Sequence, residues 1–397
     1  MSRNSGDEPV YMKLYKKLRD DIVSGVYAYG SRLPSKRVLA DESGASVITV
    51  EHAYFLLMDE GYIEARERSG YFVSFRKDNW FTAVGKIDEP NTSAEKTEKV
   101  SDPLMTAGST DGSTDSPTDD SANDPTDDSK VKETRFPFSV LSRTMRRVIS
   151  EYGEEIMQKS PNAGRKELRE ALKKYLARSR GIYVDIDQIV IGSGSEYLYG
   201  MITELLGRDK IYAIERPSYK KIEEVYRALE LSYEQLELKR DGIDSRALSE
   251  TGADVLHTTP FRSFPSGVTA SASKRHEYIR WADRPDRFII EDDFESEFSV
   301  SRKPVETLFN MSTNDNVIYM NTFSRTISPA LRVGYMVIPK KLVDAFEKRV
   351  GFYSCTVPTF EQLVLSELLD SGDFERNINR IRRSMRAAKG VNIVNHK

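Results

Sequence analysis

A long run of acidic and small polar residues divides this chain of 397 residues into two parts. Residues 108–129 read GSTDGSTDSPTDDSANDPTDDS, and residues 88–129 hold twelve acidic side chains against two lysines. A segment with so few large apolar side chains cannot bury enough surface to offset the entropy lost on ordering. We therefore predict a compact head over 1–77, an extended disordered linker over 78–133 and a second folded body over 134–397.

The composition excludes several classes of protein. A hydrophobic fraction of 39% is enough for a buried core, whereas one cysteine and four histidines give no disulfide and argue against a metal site. The N-terminus lacks an apolar signal, and no run approaches the ~20 apolar residues of a membrane span. We expect a soluble cytoplasmic protein with no membrane partner. Because the head is nearly neutral, DNA binding by it would depend on where its basic groups lie.

The head shows helical spacing followed by an alternating aromatic stretch. Residues 11–24 carry apolar side chains on one helical face. Ser35 and Ser46 each precede a short helical pattern that they can cap, and a Gly-containing turn joins the two helices. The second helix is predicted to run through Gly61, and two strands between residues 62 and 75 form a wing. This order of elements is typical of a winged helix-turn-helix DNA-binding domain of α+β class.

Residues 30–73, GSRLPSKRVLADESGASVITVEHAYFLLMDEGYIEARERSGYFV, closely resemble the winged helix of the GntR family. The resemblance implies double-stranded operator DNA as a partner, with candidate contacts at Lys36, Arg37, Ser46, Thr49, Glu51, His52, Tyr54, Arg66 and Gly70. The basic residues among them would contact phosphates, and Thr49 and His52 could reach base edges. Glu51 would help only by accepting from a cytosine amine. The predicted core residues of the second helix are Val50, Ala53, Leu56 and Leu57.

Short strand-like runs alternate with helical stretches in the body. They lie at residues 189–192, 211–215, 255–259, 287–292 and 317–321. Strands that alternate with helices predict βαβ units, and therefore an α/β body with a mostly parallel sheet.

Several strings in the body match the fold-type I aminotransferase family in order and spacing. They are SPNAGR (160–165), IGSGSEYL (191–198), ERPSY (215–219), TPFRSFPSG (259–267), EDDFESEF (291–298) and TFSRTISPALRVGY (322–335). With the head, they resemble the MocR subgroup of GntR regulators. The resemblance implies a pyridoxal phosphate pocket with candidate residues Ser195, Glu196, Tyr219, Asp292, Phe294, Ser324, Arg325 and Arg332. Within it Asp292 would pair with the ring nitrogen, Tyr219 would lie on the ring, and Ser195 and Arg332 would bind the phosphate.

Four positions depart from the family pattern. Arg325 stands where the Schiff-base lysine is expected, and a guanidinium stays protonated and cannot form that bond. Glu196 replaces a glutamine beside the phosphate, Phe294 replaces a tyrosine, and Arg262 replaces a histidine. We therefore predict no catalytic residue, with pyridoxal phosphate bound non-covalently or not at all. The chain also stops soon after a basic helix over 374–388, so we expect the small C-terminal domain to be truncated.

Three functions remain open from the sequence. The leading one is a sequence-specific DNA-binding transcription regulator, a homodimer whose catalytically dead body binds a B6 vitamer or a related small effector. The second is an active pyridoxal phosphate-dependent aminotransferase with a regulatory DNA-binding head. The third is a ligand-independent regulator that uses the body only as a dimerisation scaffold. The basic helix is either a packed, solvated helix, which we favour, or an accessory phosphate-contacting surface.

Overall fold

The computed structural model describes residues 9–66, 69–76, 136–299 and 306–388. The predicted linker lies outside these described residues. The head and the body below are therefore the parts on either side of it.

The head consists of three helices and a two-stranded wing. The elements are α1 (Val10–Ser24), α2 (Lys36–Ser43), α3 (Val47–Asp59), β1 (Ile63–Arg66) and β2 (Gly70–Val73), and the two strands are antiparallel. Both predicted caps are present, because the Ser35 hydroxyl accepts from the Val38 N–H at 3.3 Å and that of Ser46 from the Thr49 N–H at 3.1 Å. Helix α3 ends earlier than predicted, because Gly61 takes a left-handed φ of +78° that cannot continue a helix.

The head has a hydrophobic core of its own. The four core residues predicted for α3 are all buried, and Tyr15, Tyr54 and Tyr62 are buried with them. Ala272, from the body, packs into the same cluster. The head is therefore a folded unit that also contacts the body.

The body is built on an eight-stranded mixed sheet. Its strands are β3 (Ile189–Gly192), β4 (Ile211–Arg216), β5 (Ser232–Lys239), β6 (Gly242–Ile243), β7 (Val255–Thr258), β8 (Phe288–Asp292), β9 (Val317–Thr322) and β10 (Gly334–Val337). The strand order is β3-β10-β9-β8-β7-β4-β5-β6. The five central strands β9, β8, β7, β4 and β5 run parallel, and the outer pairings are antiparallel. The five predicted strand-like runs all appear, and the mostly parallel sheet of the α/β prediction is confirmed.

Helices cover both faces of this sheet. They are α4 (Phe138–Tyr152), α5 (Lys166–Arg180), α6 (Ser195–Leu206), α7 (Lys220–Ala228), α8 (Ser245–Glu250), α9 (Ala272–Trp281), α10 (Leu308–Met311), α11 (Val343–Arg349), α12 (Thr359–Asp370) and α13 (Asp373–Ala388). The strands β3, β7, β8 and β10 are wholly buried and β9 almost so, as expected of strands with helices on both sides. With both faces covered, the sheet is accessible at the ends of its parallel strands.

The basic helix α13 packs against the body. Phe374, Ile378 and Ile381 are buried in the cluster that also holds α5 and α12. This packing agrees with the prediction of a packed, solvated helix. Across the described ranges, no helix is long and apolar enough to cross a membrane, and no group of His, Cys, Asp and Glu side chains could hold a metal ion.

Candidate ligand pocket and DNA-reading surface

A pocket opens where the parallel strands β4, β7, β8 and β9 end. This edge is where ligands bind in open α/β sheets, since loops diverge there and helix N-termini point toward it. Seven of the eight predicted pocket residues line it, and Arg325 lies directly after the lining residue Ser324. The lining is Ser195, Glu196, Tyr199, Tyr219, Thr259, Phe264, Asp292, Phe294, Thr322, Ser324 and Arg332.

The anion end of the pocket lies at the start of α6. Gly194 has a φ of +93°, and a Cβ there would meet the Arg332 guanidinium at 3.1 Å, so only glycine allows this close approach. The Glu196 carboxylate accepts from the Arg332 guanidinium at 2.6 Å and from the Lys221 ammonium at 3.4 Å. Arg332 and Lys221, the positive groups at this end, are therefore both paired with the Glu196 carboxylate.

The electrostatics of Glu196 keep this carboxylate charged. Burial would raise its pKa, but its own backbone N–H, Arg332 and Lys221 together outweigh burial and hold the pKa below the usual value. A phosphate entering this end would meet a like charge within the ion pair. The Glu196–Arg332 contact is thus the main obstacle to a phosphorylated ligand.

The opposite end of the pocket is centred on Asp292. The Tyr199 hydroxyl donates to its carboxylate at 2.6 Å, and His257 Nε2 lies 3.8 Å from the same oxygen. On the other side of the pocket, Tyr219 and Phe264 make an edge-on contact with ring centroids 6.3 Å apart. Neither Tyr199 nor His257 was predicted as a site residue. Tyr199 lies one helical turn after Ser195, and that spacing is the signal that could have found it.

Arg325 is held by a neighbouring carboxylate. Its guanidinium donates to Glu295 at 2.9 Å, and Arg262 contacts the other oxygen of Glu295 at 3.2 Å. Arg325 also lies 6.0 Å from the centre of the Phe294 ring. Glu295 was missed by the sequence analysis, because only the fold brings it between two arginines. Two predicted departures from the family pattern, Arg325 and Arg262, are therefore parts of one ion-paired cluster.

The pocket fits pyridoxal phosphate in part. Asp292 and Tyr219 are suited to a protonated aromatic ring, whereas Phe294 offers no hydroxyl for its phenolate oxygen. None of the described lining residues is a lysine, and Arg325 cannot supply a Schiff base. The residues fit a non-covalently held ring better than a covalently bound, phosphorylated cofactor.

The candidate DNA contacts of the head fall into two groups. Arg37, Ser46, Glu51 and Arg66 are exposed, and the other candidates except Tyr54 are half-buried at the same surface. Tyr54 is fully buried, and its hydroxyl donates to the Pro34 carbonyl at 2.7 Å. The inclusion of Tyr54 is therefore wrong, because α3 turns this side chain toward the core.

Some of the exposed candidates are paired with each other. Lys36 contacts Glu51 at 2.6 Å, which joins the first turn of α2 to α3. Arg66 contacts Glu64 at 2.8 Å and lies over the Phe72 ring at 4.4 Å. Exposed pairs of this kind are weak, so phosphates can compete for both cations.

The two folds and the pocket define a class of protein: a winged helix joined to an aminotransferase-like body. Residues 121–389 match the family "Aminotransferase class I and II", and residues 10–73 match "Bacterial regulatory proteins, gntR family". The chain belongs to the aminotransferase class I and II family and carries a GntR-type head. This confirms the predicted fold class of both parts.

Several named regulators align with nearly the whole of this chain. The chain is 28% identical over 386 residues to the uncharacterized HTH-type transcriptional regulator YdeL of Bacillus subtilis, an alignment covering 97% of this chain and 78% of YdeL. It is 27% identical to the probable rhizopine catabolism regulatory protein MocR of Rhizobium meliloti, with 95% and 75% covered. It is also 26% identical to the pyridoxine biosynthesis regulator PdxR of Corynebacterium glutamicum, with 96% and 77% covered.

Among solved structures, the body resembles aminotransferases. The kynurenine aminotransferase of Pyrococcus horikoshii superposes with a TM-score of 0.56 at 27% identity. The superposition covers 62% of this chain and 64% of that enzyme, so the chain spans less than two thirds of the enzyme's length. The likeness supports the aminotransferase-like fold of the body.

Proposed function

We propose that this protein is a sequence-specific DNA-binding transcription regulator whose body is a ligand sensor rather than an enzyme. The observation that carries the proposal is the contrast between a winged helix with an exposed α3 N-terminus and a pocket in which Arg325 is paired with Glu295. The regulators named above align with nearly the whole of this chain, which supports a regulatory role. On this proposal the head binds double-stranded operator DNA, and two copies bind two half-sites as a homodimer.

The DNA surface we propose consists of the capped starts of α2 and α3 and the wing. Phosphates would bind at the exposed helix N-termini and at Lys36, Arg37 and Arg66. Thr49 and His52 of α3 would reach base edges. Ser46 caps α3 and lies 2.9 Å from the Thr49 hydroxyl, and Gly70, in β2 of the wing, would contact the DNA separately. Glu51 competes with DNA for Lys36 unless it accepts from a base amine.

We propose a B6 vitamer or a related small aromatic molecule as the ligand of the pocket, held without a covalent bond. Asp292 would bind a protonated ring nitrogen, Tyr219 would lie against the ring, and Ser195, Ser324 and Arg332 would contact its polar substituents. When bound, such a ring is an electron sink, but the paired Arg325 cannot attach it. The body is accordingly proposed to sense its ligand without turning it over.

Two experiments test this proposal. A duplex obtained by in vitro selection on the full chain should bind with a salt-dependent, sequence-dependent affinity, measured by fluorescence anisotropy; equal affinity for a scrambled duplex would contradict sequence-specific binding. Pyridoxal 5′-phosphate added to the parent should give no borohydride-reducible adduct at the pocket, whereas Arg325→Lys should give one. A reducible adduct at the pocket of the parent would favour an enzyme instead.

A further inference from the structure

A buried arginine of the body bonds to the head and to the body at once. The Arg275 side chain is only 1% exposed and donates to two backbone carbonyls, at 3.1 Å to Glu60 in the head and at 2.9 Å to Glu306 in the body. Glu60 directly follows the last residue of α3. A cation near a helix C-terminus interacts favourably with the helix dipole, so this contact holds the end of the DNA-reading helix.

Further contacts surround this arginine and complete an interdomain joint. Arg19 of α1 pairs with the Glu306 carboxylate at 2.7 Å, and the Arg76 N–H donates to the Ser273 hydroxyl at 3.0 Å. The Tyr62 hydroxyl lies 3.2 Å from Nε2 of His276, on the same helix α9 as Arg275. The joint consists of Arg275, its two carbonyl partners, and the contacts at Arg19, Arg76, Tyr62 and His276.

The joint leaves the DNA-reading end of α3 open. Its contacts nearest to α3 are made by Glu60 and Tyr62, after the helix, whereas Val47, Ile48 and Glu51 in the first turns of α3 are exposed. The docked head is therefore oriented by the body without being covered by it.

The helix that carries Arg275 is continuous with a wall of the pocket. Thr259 and Phe264 line the pocket, and the chain runs from them directly into α9, which starts at Ala272. Arg262 in the same loop pairs with Glu295, the partner of Arg325. A ligand that moves this loop or separates the Arg262–Glu295–Arg325 cluster therefore acts on the start of α9.

A second connection passes through a small cavity lined by both polar and apolar residues. Arg275, Arg180, Asp293 and Ser296 all line it, and each contributes a buried polar atom without a hydrogen-bond partner among the described residues. Buried polar atoms around a cavity are characteristically bridged by ordered water. Asp293 and Ser296 flank Phe294 and Glu295 in the pocket, so the cavity brings Arg275 next to the same chain segment.

We propose that Arg275 is the positioning residue of a joint that makes the orientation of the DNA-reading head depend on what fills the pocket. The inference rests on the proposed function, because it requires a ligand at the pocket and DNA at the head. A ligand that fits one arrangement of the loop over 259–271 better than another shifts the equilibrium between a docked and a released head. Coupling of this kind changes affinity by about 5- to 150-fold.

The first test measures the joint itself in the full chain. Spin labels at Val26→Cys and Tyr183→Cys, both strongly exposed positions, report the head–body distance after Cys355→Ser removes the native thiol. The parent should give one narrow distance distribution, and Arg275→Gln a broad one. Arg280→Gln, an exposed arginine on the same helix, is the matched control and should match the parent. A narrow distribution in Arg275→Gln would overturn the proposal.

The second test measures coupling, with pyridoxine and pyridoxal 5′-phosphate as the probes. One of them should change the DNA dissociation constant of the parent and of Arg280→Gln at least about fivefold, and that of Arg275→Gln less than about twofold. An equal change in Arg275→Gln, or a bound probe that leaves the parent's DNA affinity unchanged, overturns the joint as the route. If Arg275→Gln does not fold, Arg19→Gln serves instead and should broaden the distance distribution.

The two proposals fail in different ways. Calorimetry shows whether either probe binds at all, and the selected duplex shows whether DNA binds. A parent that binds neither contradicts the proposed function and, with it, the coupling. If the parent binds a probe and the DNA, but the probe does not change the DNA affinity, only the proposal about the joint is contradicted.

Discussion

The DNA-reading surface of the head and the ligand pocket of the body are built in opposite ways. In the head, Ser46 caps α3 through a residue three positions away, and α2 and α3 are neighbours in the chain. In the pocket, Glu196 meets Arg332 across 136 positions, and Arg325 meets Glu295 across 30. The DNA-reading surface therefore depends largely on contacts between residues close in the chain, whereas the pocket depends on pairs of residues far apart in the chain.

The largest effect is expected from truncating a side chain in the core of the head, because the DNA-reading surface is built on that core. Leu57 is fully buried in the head, so Leu57→Ala should lower the free energy of unfolding by about 2–5 kcal/mol and abolish DNA binding. Urea unfolding followed by circular dichroism measures the change. Ile48→Ala, on the exposed face of the same helix, should cost far less, and equal costs would contradict the assignment of the core.

Docking of the head and the stability of the body should depend on pH in opposite directions. Burial, with Arg275, Arg280 and Arg19 nearby, lowers the pKa of His276 to about 4 from an ordinary value of 6.5. The released state thus binds a proton more readily than the docked state. Docking should be fully favourable above pH 6.5 and weaken by up to roughly 1.4 kcal/mol per pH unit as the pH falls toward 4.

Buried acids of the body have the opposite sign. Burial, and then Asp293, raises the pKa of Glu291 to about 8. The contribution of Glu291 to the free energy of unfolding is fully present below pH 4.5 and is lost as the pH rises toward 8. Head–body distances and urea midpoints measured from pH 4.5 to 8 check both trends. His276→Asn should flatten the acid side only, and Glu291→Gln the alkaline side only; a change on the wrong side would refute the assignment.

A smaller effect should follow from removing the carboxylate at the anion end of the pocket. Glu196→Gln leaves Arg332 and Lys221 without their anion, so affinity for inorganic phosphate and pyridoxal 5′-phosphate should rise on the order of tenfold. Isothermal calorimetry provides the measurement. Glu204→Gln, an ion-paired residue near the end of the same helix, is the control and should leave affinity unchanged. If both variants behave alike, Glu196 does not compete with phosphate.

The smallest effect tests the local character of the head. Ser46→Ala removes the cap of α3 and should cost about 1 kcal/mol of stability with a matching loss of DNA affinity. Ser46→Asp keeps a capping oxygen, so its unfolding midpoint should stay near that of the parent. A loss of stability as large in Ser46→Asp as in Ser46→Ala would mean that the hydroxyl acts through something other than the cap.

Much of the fold and part of the site followed from sequence patterns. The caps at Ser35 and Ser46, the wing and the strands of the body were predictable because each depends on residues close in the chain. Seven pocket residues were named because the family resemblance supplied their positions. Tyr54 was misplaced because the family resemblance suggested it as a DNA contact, although its spacing from Val50 and Leu57 puts it on the buried face of α3.

The sequence by itself determined two folded parts, their classes, and the presence of Arg325 where a lysine is expected. Only the tertiary structure decided that Arg325 and Arg262 share Glu295, that Glu196 pairs with Arg332, and that Arg275 joins the two parts. The physical reason is the distance along the chain between the residues that interact. Caps, helical faces and strands are set by neighbours a few residues away, whereas ion pairs and buried hydrogen bonds depend on which distant segments the packing of the core brings together.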